Sequence, residues 1–387
     1  MTTGRIYLDH NATAPLIAAA RAAMLDALDA GGNASSVHET GRRARARIEQ
    51  ARAHVAAMVG ARSGDVSFTS GGTEANNHII QSAARQEGAL VVSSIEHPSV
   101  LEAASEAARA AGRELRLIPC DRDGLIRPEA LQQILEAEPC PPALVSVMLA
   151  NNETGVIQPI AELARLAHAA GAPMHSDAAQ AAGRIPVAMA ELGVDYLSLS
   201  AHKMGGPHGA GAVITGCGAA LHPLLFGGGQ ERKLRPGTEN LAGIAGFGAA
   251  AEQVEARLGE MNRIKGLREE LEKRIQALDA QILVLGGGAD RLPNTSLLAR
   301  PGLKAETIVM ALDLDGAAIS AGAACSSGKT GAGHVPQAMG YGDDAARAAF
   351  RVSLGPENSL EDIARFADIL APIIERMTKN RTGRMAA

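Results

Sequence analysis

The sequence predicts an α/β fold in which a large, doubly wound, mainly parallel sheet is joined by a smaller α+β domain. From about residue 65, short β-branched or apolar runs alternate with longer helical patterns, as in a parallel sheet with helices on its faces. At 387 residues, the chain is longer than one hydrophobic core normally serves. After a helical stretch predicted over 239–279, the alternation restarts, which indicates a second domain.

The predicted elements alternate in order along the chain. In the first series the strands are "DVSFTS", "ALVVSSI", "ELRLIP", "ALVSVML", "PMHSD", "VDYLSLS" and "GAGAVIT", with helices that begin near Thr73, Ser99, Pro128 and Pro159. In the second series the elements are "QILVLGG", "NTSLLAR", a helix over 304–314, "AAFRVSL" and a helix from about 359, before the basic end "ERMTKNRTGRMAA", which we expect to fray. We place the large domain at 15–255 and form the small domain from 1–14 and 256–387.

Composition is typical of a soluble globular enzyme and argues against other classes. With no Trp, 3 Tyr, 5 Phe and a net charge of -5, the chain offers neither a basic surface nor aromatic platforms for nucleic acid. The start "MTTGRIYLDHNATAP" has no signal-peptide apolar region, and the run "LAGIAGFGAAA" is too short to span a bilayer. We therefore expect a cytoplasmic protein without a membrane partner.

The four cysteines, at positions 120, 140, 217 and 325, form no CxxC pair and have no spacing typical of metal ligands. We expect no metal site, and we expect Cys120, Cys140 and Cys217 to be packing residues. Cys325 lies in "ISAGAACSSGKTGAGH", whose composition is typical of a mobile surface loop. Two interpretations of this thiol are open: a small buried hydrophobic group, or a nucleophile carried on the loop.

Polar residues follow several predicted strands, at the sheet edge where α/β proteins bind ligands. In "TSGGTEANN", Gly71 and Gly72 lead into a helix that begins near Thr73. The free N–H groups of its first turn and the Thr73 hydroxyl could hold a phosphate, although the pattern also fits an ordinary helix cap. The stretch matches neither GxGxxG nor GxxxxGK[ST], which argues against a dinucleotide or P-loop site.

Two further strand ends carry a carboxylate and a lysine. Asp177 and Gln180 follow "PMHS", and the carboxylate is either a helix cap or the partner of a buried cation. Ser200, His202 and Lys203 end the strand "VDYLSLS", and a lysine beside a polar pocket there is a usable amine nucleophile. A lysine for an aldehyde, an aspartate for a ring nitrogen and a helix N-terminus for a phosphate are together what pyridoxal 5'-phosphate requires.

Two more polar residues belong to the same pattern. His97 in "SSIEHPSV" is placed to stack on a ring or to move protons, and Asn152 in "MLANNETGVIQP" adds an amide at another strand end. Five polar strand ends therefore predict one site at the carboxyl edge of the sheet.

The motifs follow one another along nearly the whole chain: "LDHNATAP", "SGGTEANN", "IEHPSV", "NNETGVIQP", "HSDAAQAAG", "LSAHKMGGPHGAG", "GGGQERKLRPGTEN", "AACSSGK" and "FRVSLG". In this order they resemble the pyridoxal-phosphate cysteine desulfurases of the NifS and IscS type, within the class V aminotransferases. The resemblance implies the fold type I of pyridoxal-phosphate transferases. The loop of Cys325 is the feature that selects desulfurases within that superfamily.

The resemblance implies a role for each strand-end residue. Lys203 would bind the cofactor covalently, Asp177 would hold the pyridine nitrogen, and His97 would stack on the ring. The ring oxygen would lie between Asn152 and Gln180. The implied phosphate ligands are Gly72, Thr73, Ser200, His202 and, from the second subunit of a homodimer, Thr238. The implied substrate ligands are Asn11, Asn152 and Arg351. Arg351 interrupts the apolar strand "AAFRVSL" and would hold the substrate carboxylate through two hydrogen bonds, with a structural ion pair as the alternative.

The implied activity is desulfuration of L-cysteine. Cys325 would take the sulfur as a persulfide and leave L-alanine, while Lys203 moves the α-proton and His97 acts as acid or base near the departing sulfur. The sulfur would then pass to an iron–sulfur scaffold or another acceptor protein. A selenocysteine lyase or another class V enzyme is the alternative that shares the cofactor.

The sequence departs from the family pattern at three places. His208 stands where many members have Lys, Pro236 stands where Ser is common, and the loop 326–333 has residues of its own. We expect the first two to adjust phosphate and subunit contacts and the third to bear on the choice of sulfur acceptor.

Overall fold

The computed structural model describes residues 4–216, 218–322 and 333–385. The strands in these ranges are β1 (Ile6–Tyr7), β2 (Val66–Thr69), β3 (Leu90–Ser93), β4 (Leu115–Ile118), β5 (Leu144–Ser146), β6 (Met174–Asp177), β7 (Tyr196–Ser200), β8 (Gly211–Thr215), β9 (Leu283–Leu285), β10 (Thr295–Ala299), β11 (Ala317–Ala318), β12 (Ser320–Ala321) and β13 (Ala349–Ser353).

Helices surround these strands. The α-helices are α1 (Ala18–Ala30), α2 (Glu39–Met58), α3 (Gly72–Ala83), α4 (Pro98–Ala110), α5 (Pro128–Ala137), α6 (Ile160–Ala169), α7 (Met189–Leu192), α8 (Leu241–Glu252), α9 (Val254–Leu258), α10 (Met261–Leu278), α11 (Ala305–Leu314), α12 (His334–Ala338), α13 (Asp343–Arg347) and α14 (Leu360–Met385). The 3-10 helices are Ser63–Asp65, Ala201–Lys203 and Gln230–Lys233. No helix of these described ranges is both long and apolar enough to cross a membrane.

The large sheet has seven strands in the order β2-β8-β7-β6-β5-β3-β4. Strands β3 to β7 run parallel, whereas β8 runs antiparallel to both β7 and β2. The link from β7 to β8 is too short for a helical crossover, so these two strands pair as neighbours of opposite direction. Because β2 again points the same way as β7, the carboxyl ends of β2, β3, β5, β6 and β7 all lie at one edge of the sheet.

A second sheet has the order β12-β13-β10-β9 and is antiparallel. Its hydrophobic cluster joins residues from both ends of the chain, such as Ile6, Leu271, Phe350 and Phe366, all essentially buried. Strand β1 pairs in parallel with β11, which brings the N-terminal segment onto this part of the molecule. The mainly parallel sheet and the smaller α+β arrangement agree with the predicted fold, while the boundaries at 14/15 and 255/256 stay a prediction.

Three expectations about elements were wrong or incomplete. The stretch 239–279 is not one helix but α8, α9 and α10, since the chain breaks at Gln253 and again at Gly259 and Glu260. The alternation pattern gave no element before residue 65, yet α1 and α2 occupy that region and pack on α8. The basic end does not fray at residue 375, because α14 continues to Met385.

Candidate active site

The carboxyl edge of the large sheet borders a cavity of about 610 Å³. Most of the predicted site residues line it: Asn11, Gly72, Thr73, His97, Asn152, Asp177, Gln180, Ser200, His202, Lys203 and Arg351. They come from five strand ends, from the segment after β1 and from the middle of β13. The topology, which aligns these strand ends, is therefore what assembles residues that are far apart in sequence.

Lys203 ends the short 3-10 helix that follows β7, and its amine points toward the N-terminal segment. Its Nζ donates to the carbonyl oxygens of Asn11, at 2.6 Å, and Ala12, at 2.9 Å. These two neutral acceptors hold the side chain at the cavity wall, where it is placed to react with a bound aldehyde.

Asp177 ends β6 and is buried. One carboxylate oxygen accepts from the backbone N–H of Ala179 at 2.8 Å, and the other accepts from Asn76 Nδ2 at 2.7 Å. The sequence interpretation did not include Asn76. Its position four residues after Gly72 on α3 puts both on one helix face, and that spacing could have indicated it.

His97 is the N-cap of α4, and this contact determines where its proton lies. The backbone N–H of Ser99 donates to His97 Nδ1 at 3.1 Å, and Ser99 Oγ lies 2.8 Å from the same nitrogen. A backbone N–H can only donate, so Nδ1 is an acceptor and the neutral ring carries its proton on Nε2. Burial lowers the pKa of His97, against the opposing charge of Asp177. The ring is therefore neutral near pH 7.

A buried chain of hydrogen bonds connects Asp177 with His97. Asn76 Nδ2, which donates to the carboxylate, also donates to Ser99 Oγ at 2.8 Å, and Asn76 Oδ1 accepts from Ser198 Oγ at 2.5 Å. His175 continues the chain beneath, with Nε2 3.2 Å from Ser198 Oγ. Burial lowers the pKa of His175 to about 4. A neutral, hydrogen-bonded layer thus supports the floor of the cavity.

The start of α3 forms one end of the cavity. The N–H groups of its first turn, which includes Gly72 and Thr73, have no partner within the helix. A Cβ at Gly72 would lie 3.2 Å from the Cβ of Ser200, so glycine allows the helix to start against the end of β7. Free N–H groups beside two hydroxyl groups make this end suited to an anion.

Two histidines stand beside that anion-binding end. The rings of His202 and His208 stack with centroids 5.1 Å apart, and Thr13 Oγ1 lies 3.3 Å from His202 Nδ1 and 3.1 Å from His208 Nε2. Burial, with the nearby charge of Lys203, lowers the pKa of His202 to about 4. His208, the residue that departs from the family pattern, therefore lines the cavity and contacts the predicted phosphate ligand His202.

Arg351 reaches the cavity from β13 and is already partnered. Its guanidinium donates to the carbonyl oxygen of Asn152 at 2.9 Å and to Asp9 Oδ1 at 2.8 Å, while its Nε has no partner among the described residues. Asn11 is fixed nearby, since its Nδ2 donates to Thr295 Oγ1 at 2.9 Å. The sequence leaves two interpretations of Arg351 open: a structural ion pair, or a binding site for a substrate carboxylate. The structure has the ion pair with Asp9 at the cavity wall, where an incoming carboxylate could exchange with it.

Two predicted residues are not among those that line the cavity. Thr238 is exposed and lines a neighbouring depression, together with Ser70 and Gly209, which also line the cavity. Cys325 lies outside the described residues, as does Cys217. The packing prediction was wrong for Cys140, which is exposed in the proline-rich loop after α5, whereas Cys120 is half-buried against the core.

Comparison with known proteins identifies the family. The model of the aminotransferase class-V family matches residues 6–366. The chain belongs to this family. It is 42% identical over 380 residues to a cysteine desulfurase of Cereibacter sphaeroides, with 96% of each chain covered. It is 38% identical to the cysteine desulfurase IscS of Dictyoglomus turgidum, covering 96% of this chain and 95% of the relative.

A solved structure extends the class-V assignment to the fold. The NifS-like protein from Rickettsia africae superposes with a TM-score of 0.88 at 34% sequence identity, over 96% of this chain and 99% of that one. The large, mostly parallel sheet and its smaller partner are thus those of fold type I, as the sequence predicts. The family and the fold are established, and the roles of the individual cavity residues stay predictions.

Proposed function

We propose that this chain is a pyridoxal-phosphate-dependent cysteine desulfurase, which converts L-cysteine to L-alanine and a protein-bound persulfide. The observation that carries the proposal is identity of about 40% with cysteine desulfurases over nearly the full length of both chains. A cavity that brings together eleven of the predicted site residues supports it. The acceptor of the sulfur would be an iron–sulfur scaffold or another sulfur-carrying protein.

The cavity residues fit pyridoxal 5'-phosphate. Asn152 Oδ1 is buried and has no hydrogen-bond partner in the described ranges of the chain, as expected of a group that contacts a ligand. The first turn of α3, with Thr73, offers donors for a phosphate, and Asp177 at the end of β6 lines the same cavity, where a ring nitrogen would lie. When bound, the cofactor supplies an electron-accepting ring that weakens the bonds at the Cα of an amino acid.

Lys203, Arg351 and His97 would each have a different role in the reaction. The Lys203 amine, held at the carbonyl oxygens of Asn11 and Ala12, attaches the cofactor and, once released, accepts the α-proton. Arg351 binds the substrate carboxylate by exchanging it for Asp9. His97 presents the proton on Nε2 to the cavity, so it is arranged as a hydrogen-bond donor or acid.

Sulfur transfer requires a thiolate. The Cys325 thiolate would attack the substrate sulfur, so that an S–S bond forms while the bond between that sulfur and the substrate Cβ breaks. The electron pair of the broken bond stays with Cβ, which takes up a proton and gives alanine. The substrate sulfur remains on Cys325 as the persulfide, and no external oxidant or reductant is needed.

Substitution of Cys325 tests this function. Cys325→Ala and Cys325→Ser should fold, bind pyridoxal phosphate and still change absorption spectrum with L-cysteine, because the cofactor residues are unaltered. Both should lose at least about 99% of alanine release and all protein-bound sulfane sulfur, since a hydroxyl is a far weaker nucleophile toward sulfur. Cys140→Ala, at an exposed cysteine, is the control and should retain full activity. Near-normal alanine release by Cys325→Ala would overturn the proposal.

A further inference from the structure

Arg184 is a buried cation next to the candidate active site. It follows β6 in the turn at Gly183, whose φ of +77° is a left-handed conformation that favours glycine. The residue is only 6% exposed, and within the described part of the chain its guanidinium forms no ion pair with a carboxylate. A buried charge without a counterion is costly, so its neighbours must explain why it is there.

The hydrogen-bond acceptors that the described residues provide for Arg184 are four carbonyl oxygens, three of which belong to the site residues Gln180 and Lys203. NH1 donates to the backbone oxygen of Gln180 at 2.6 Å and to its side-chain Oε1 at 2.8 Å. NH2 donates to the backbone oxygens of Lys203, at 3.1 Å, and His10, at 3.2 Å. One guanidinium thus connects the turn after β6, the predicted cofactor lysine and the N-terminal segment.

This contact determines the orientation of the Gln180 amide. An arginine has only donors, so the amide atom that faces it must be the oxygen. Gln180 Nε2 is therefore turned the other way and donates to the carbonyl oxygen of Asn11 at 3.1 Å. The same carbonyl oxygen accepts from Lys203 Nζ at 2.6 Å. Arg184 consequently acts on both ends of Lys203, directly at its backbone and through Gln180 and Asn11 at its amine.

We propose that Arg184 is a positioning residue for the cofactor site: it keeps the N–H groups of the Gln180 amide available to the ring oxygen and places a buried positive charge at the backbone of Lys203. The inference rests on the proposed pyridoxal-phosphate function.

The charged groups around Arg184 are consistent with this assignment. Burial lowers the pKa of Arg184 to about 9, and the cations Arg257 and Arg351 add to the effect. Arg351 is neutralised by Asp9, and the charge of Glu357 acts on Arg257. Burial lowers the pKa of His10 to about 3, so this ring is neutral.

A pH titration of the bound cofactor tests the proposal without measuring turnover. The absorption spectrum of the holoenzyme changes when the nitrogen of Lys203 takes up a proton. Removal of a nearby cation favours the protonated form, so Arg184→Met should raise the midpoint of this titration by about one pH unit or more. The affinity for pyridoxal phosphate should fall about tenfold, since Gln180 loses the donor that orients it.

Two variants complete the design. Arg268→Met removes a guanidinium that is also 6% exposed but contacts Glu269, Glu272 and the Leu292 carbonyl oxygen, none of which is a predicted site residue, and its midpoint should equal that of the wild type. Arg184→Lys keeps the charge but, with three N–H donors on one nitrogen, cannot replace the four hydrogen bonds that Arg184 makes to Gln180, Lys203 and His10. Arg184→Lys should therefore bind pyridoxal phosphate more weakly than the wild type, with a smaller change in titration midpoint than Arg184→Met. If Arg184→Met does not fold, the measurements on Arg184→Lys alone test the proposal.

The outcomes separate this inference from the proposed function. Borohydride reduction and peptide mapping of the wild type should place the cofactor on Lys203. A cofactor on Lys203 with wild-type midpoint and affinity in the folded Arg184 variants would overturn the positioning role alone. No cofactor on Lys203 in the wild type would overturn both the cofactor assignment and the role of Arg184.

Discussion

Two carboxyl groups adjacent in sequence to residues that line the cavity have raised pKa values. Glu96 precedes His97, and Glu153 follows Asn152; burial raises the pKa of each carboxyl to about 8. Glu96 Oε1 accepts from Ser93 Oγ and from the backbone N–H of Met148, both at 2.6 Å, whereas no residue that the structure describes pairs with its Oε2. A carboxylic acid group with its proton on Oε2 is the form that this surrounding favours.

Glu96 should make stability depend on pH. Above its ordinary value of 4.5 the unfolded chain releases the proton, whereas the folded protein keeps it up to about pH 8. The folded state binds more protons in that interval, so Glu96 lowers the free energy of unfolding as pH rises from 4.5 toward 8. Glu96→Gln removes this contribution to the pH dependence of the free energy of unfolding, and it keeps an oxygen that accepts from Ser93 and Met148. We expect the variant to match the wild type near pH 5 and to exceed it at pH 8.

Urea unfolding at several pH values measures this difference. The control is Glu102→Gln, an exposed glutamate on α4, which should leave the pH dependence of wild type unchanged. If Glu96→Gln lost stability with rising pH as steeply as the wild type does, the carboxyl would not be the protonated group inferred here.

At the scale of elements, hydrogen bonds hold the strained turn at residues 231–233 to α2 and β2. Glu231, Arg232 and Lys233 all have left-handed backbone, with φ of 44°, 56° and 70°, although none is glycine. Such conformations cost about 1–2 kcal/mol per residue. Arg52 on α2 binds the Glu231 carboxylate through both terminal nitrogens, at 2.6 and 2.9 Å, and the backbone N–H of Phe68 on β2 donates to the same carboxylate at 2.9 Å.

Loss of Arg52 should be costly because it would leave a buried carboxylate without its cation. The two side chains are only 4% and 2% exposed. Arg52→Met should lower the free energy of unfolding by about 3–5 kcal/mol. The double variant Arg52→Met/Glu231→Gln, which removes the charge but keeps an acceptor for Phe68, should recover a substantial part, as measured by urea unfolding.

A second arginine on the same helix provides the comparison. Arg47 pairs with Asp26 at 2.8 Å, but the Asp26 side chain is 70% exposed. Arg47→Met should therefore cost less than about 1 kcal/mol. Equal losses for Arg47→Met and Arg52→Met, or a double variant no more stable than Arg52→Met alone, would contradict the importance of burial.

At the scale of the whole molecule, the cavity of one chain contains most of the predicted site but not Thr238. That residue is exposed, in the segment that follows the strained turn, and Leu225 and Phe226 ahead of the turn are exposed at 49% and 85%. Large exposed apolar side chains in one segment are typical of an interaction surface. These features support the proposal of a homodimer in which Thr238 serves the site of the other subunit.

Mixed dimers distinguish a shared site from a self-contained one. A dimer of one Lys203→Ala and one Thr238→Ala subunit would have one site with both native residues and one with neither, if Thr238 acts across the interface. Mixing the two variants under subunit exchange should then restore, per mixed dimer, about half of the wild-type activity. Activity that stays at the sum of the separate variants, or a fully active monomer in sedimentation, would contradict the shared site.

Local sequence signals determined the α/β class and most of the candidate site. Strand ends rich in polar residues, such as those at Asp177 and Lys203, could be read directly because carboxyl ends of parallel strands share one edge. The helices α1 and α2 escaped prediction, since their apolar residues are mostly alanine and give a weak periodic signal. Breaks at Gln253 and Gly259 were missed because the helical composition continues across them.

Only the tertiary structure decided which polar groups meet. Asn76 with Asp177, Asp9 with Arg351 and Arg184 with Lys203 are pairs between 19 and 342 positions apart, and no spacing along the chain encodes them. The periodicity of apolar residues indicates which face of an element is buried. It does not indicate which residues of another element pack against that face. The hydrogen-bond partners of buried polar groups depend on strand order and register, because each such group must find a partner wherever the packed elements bring one.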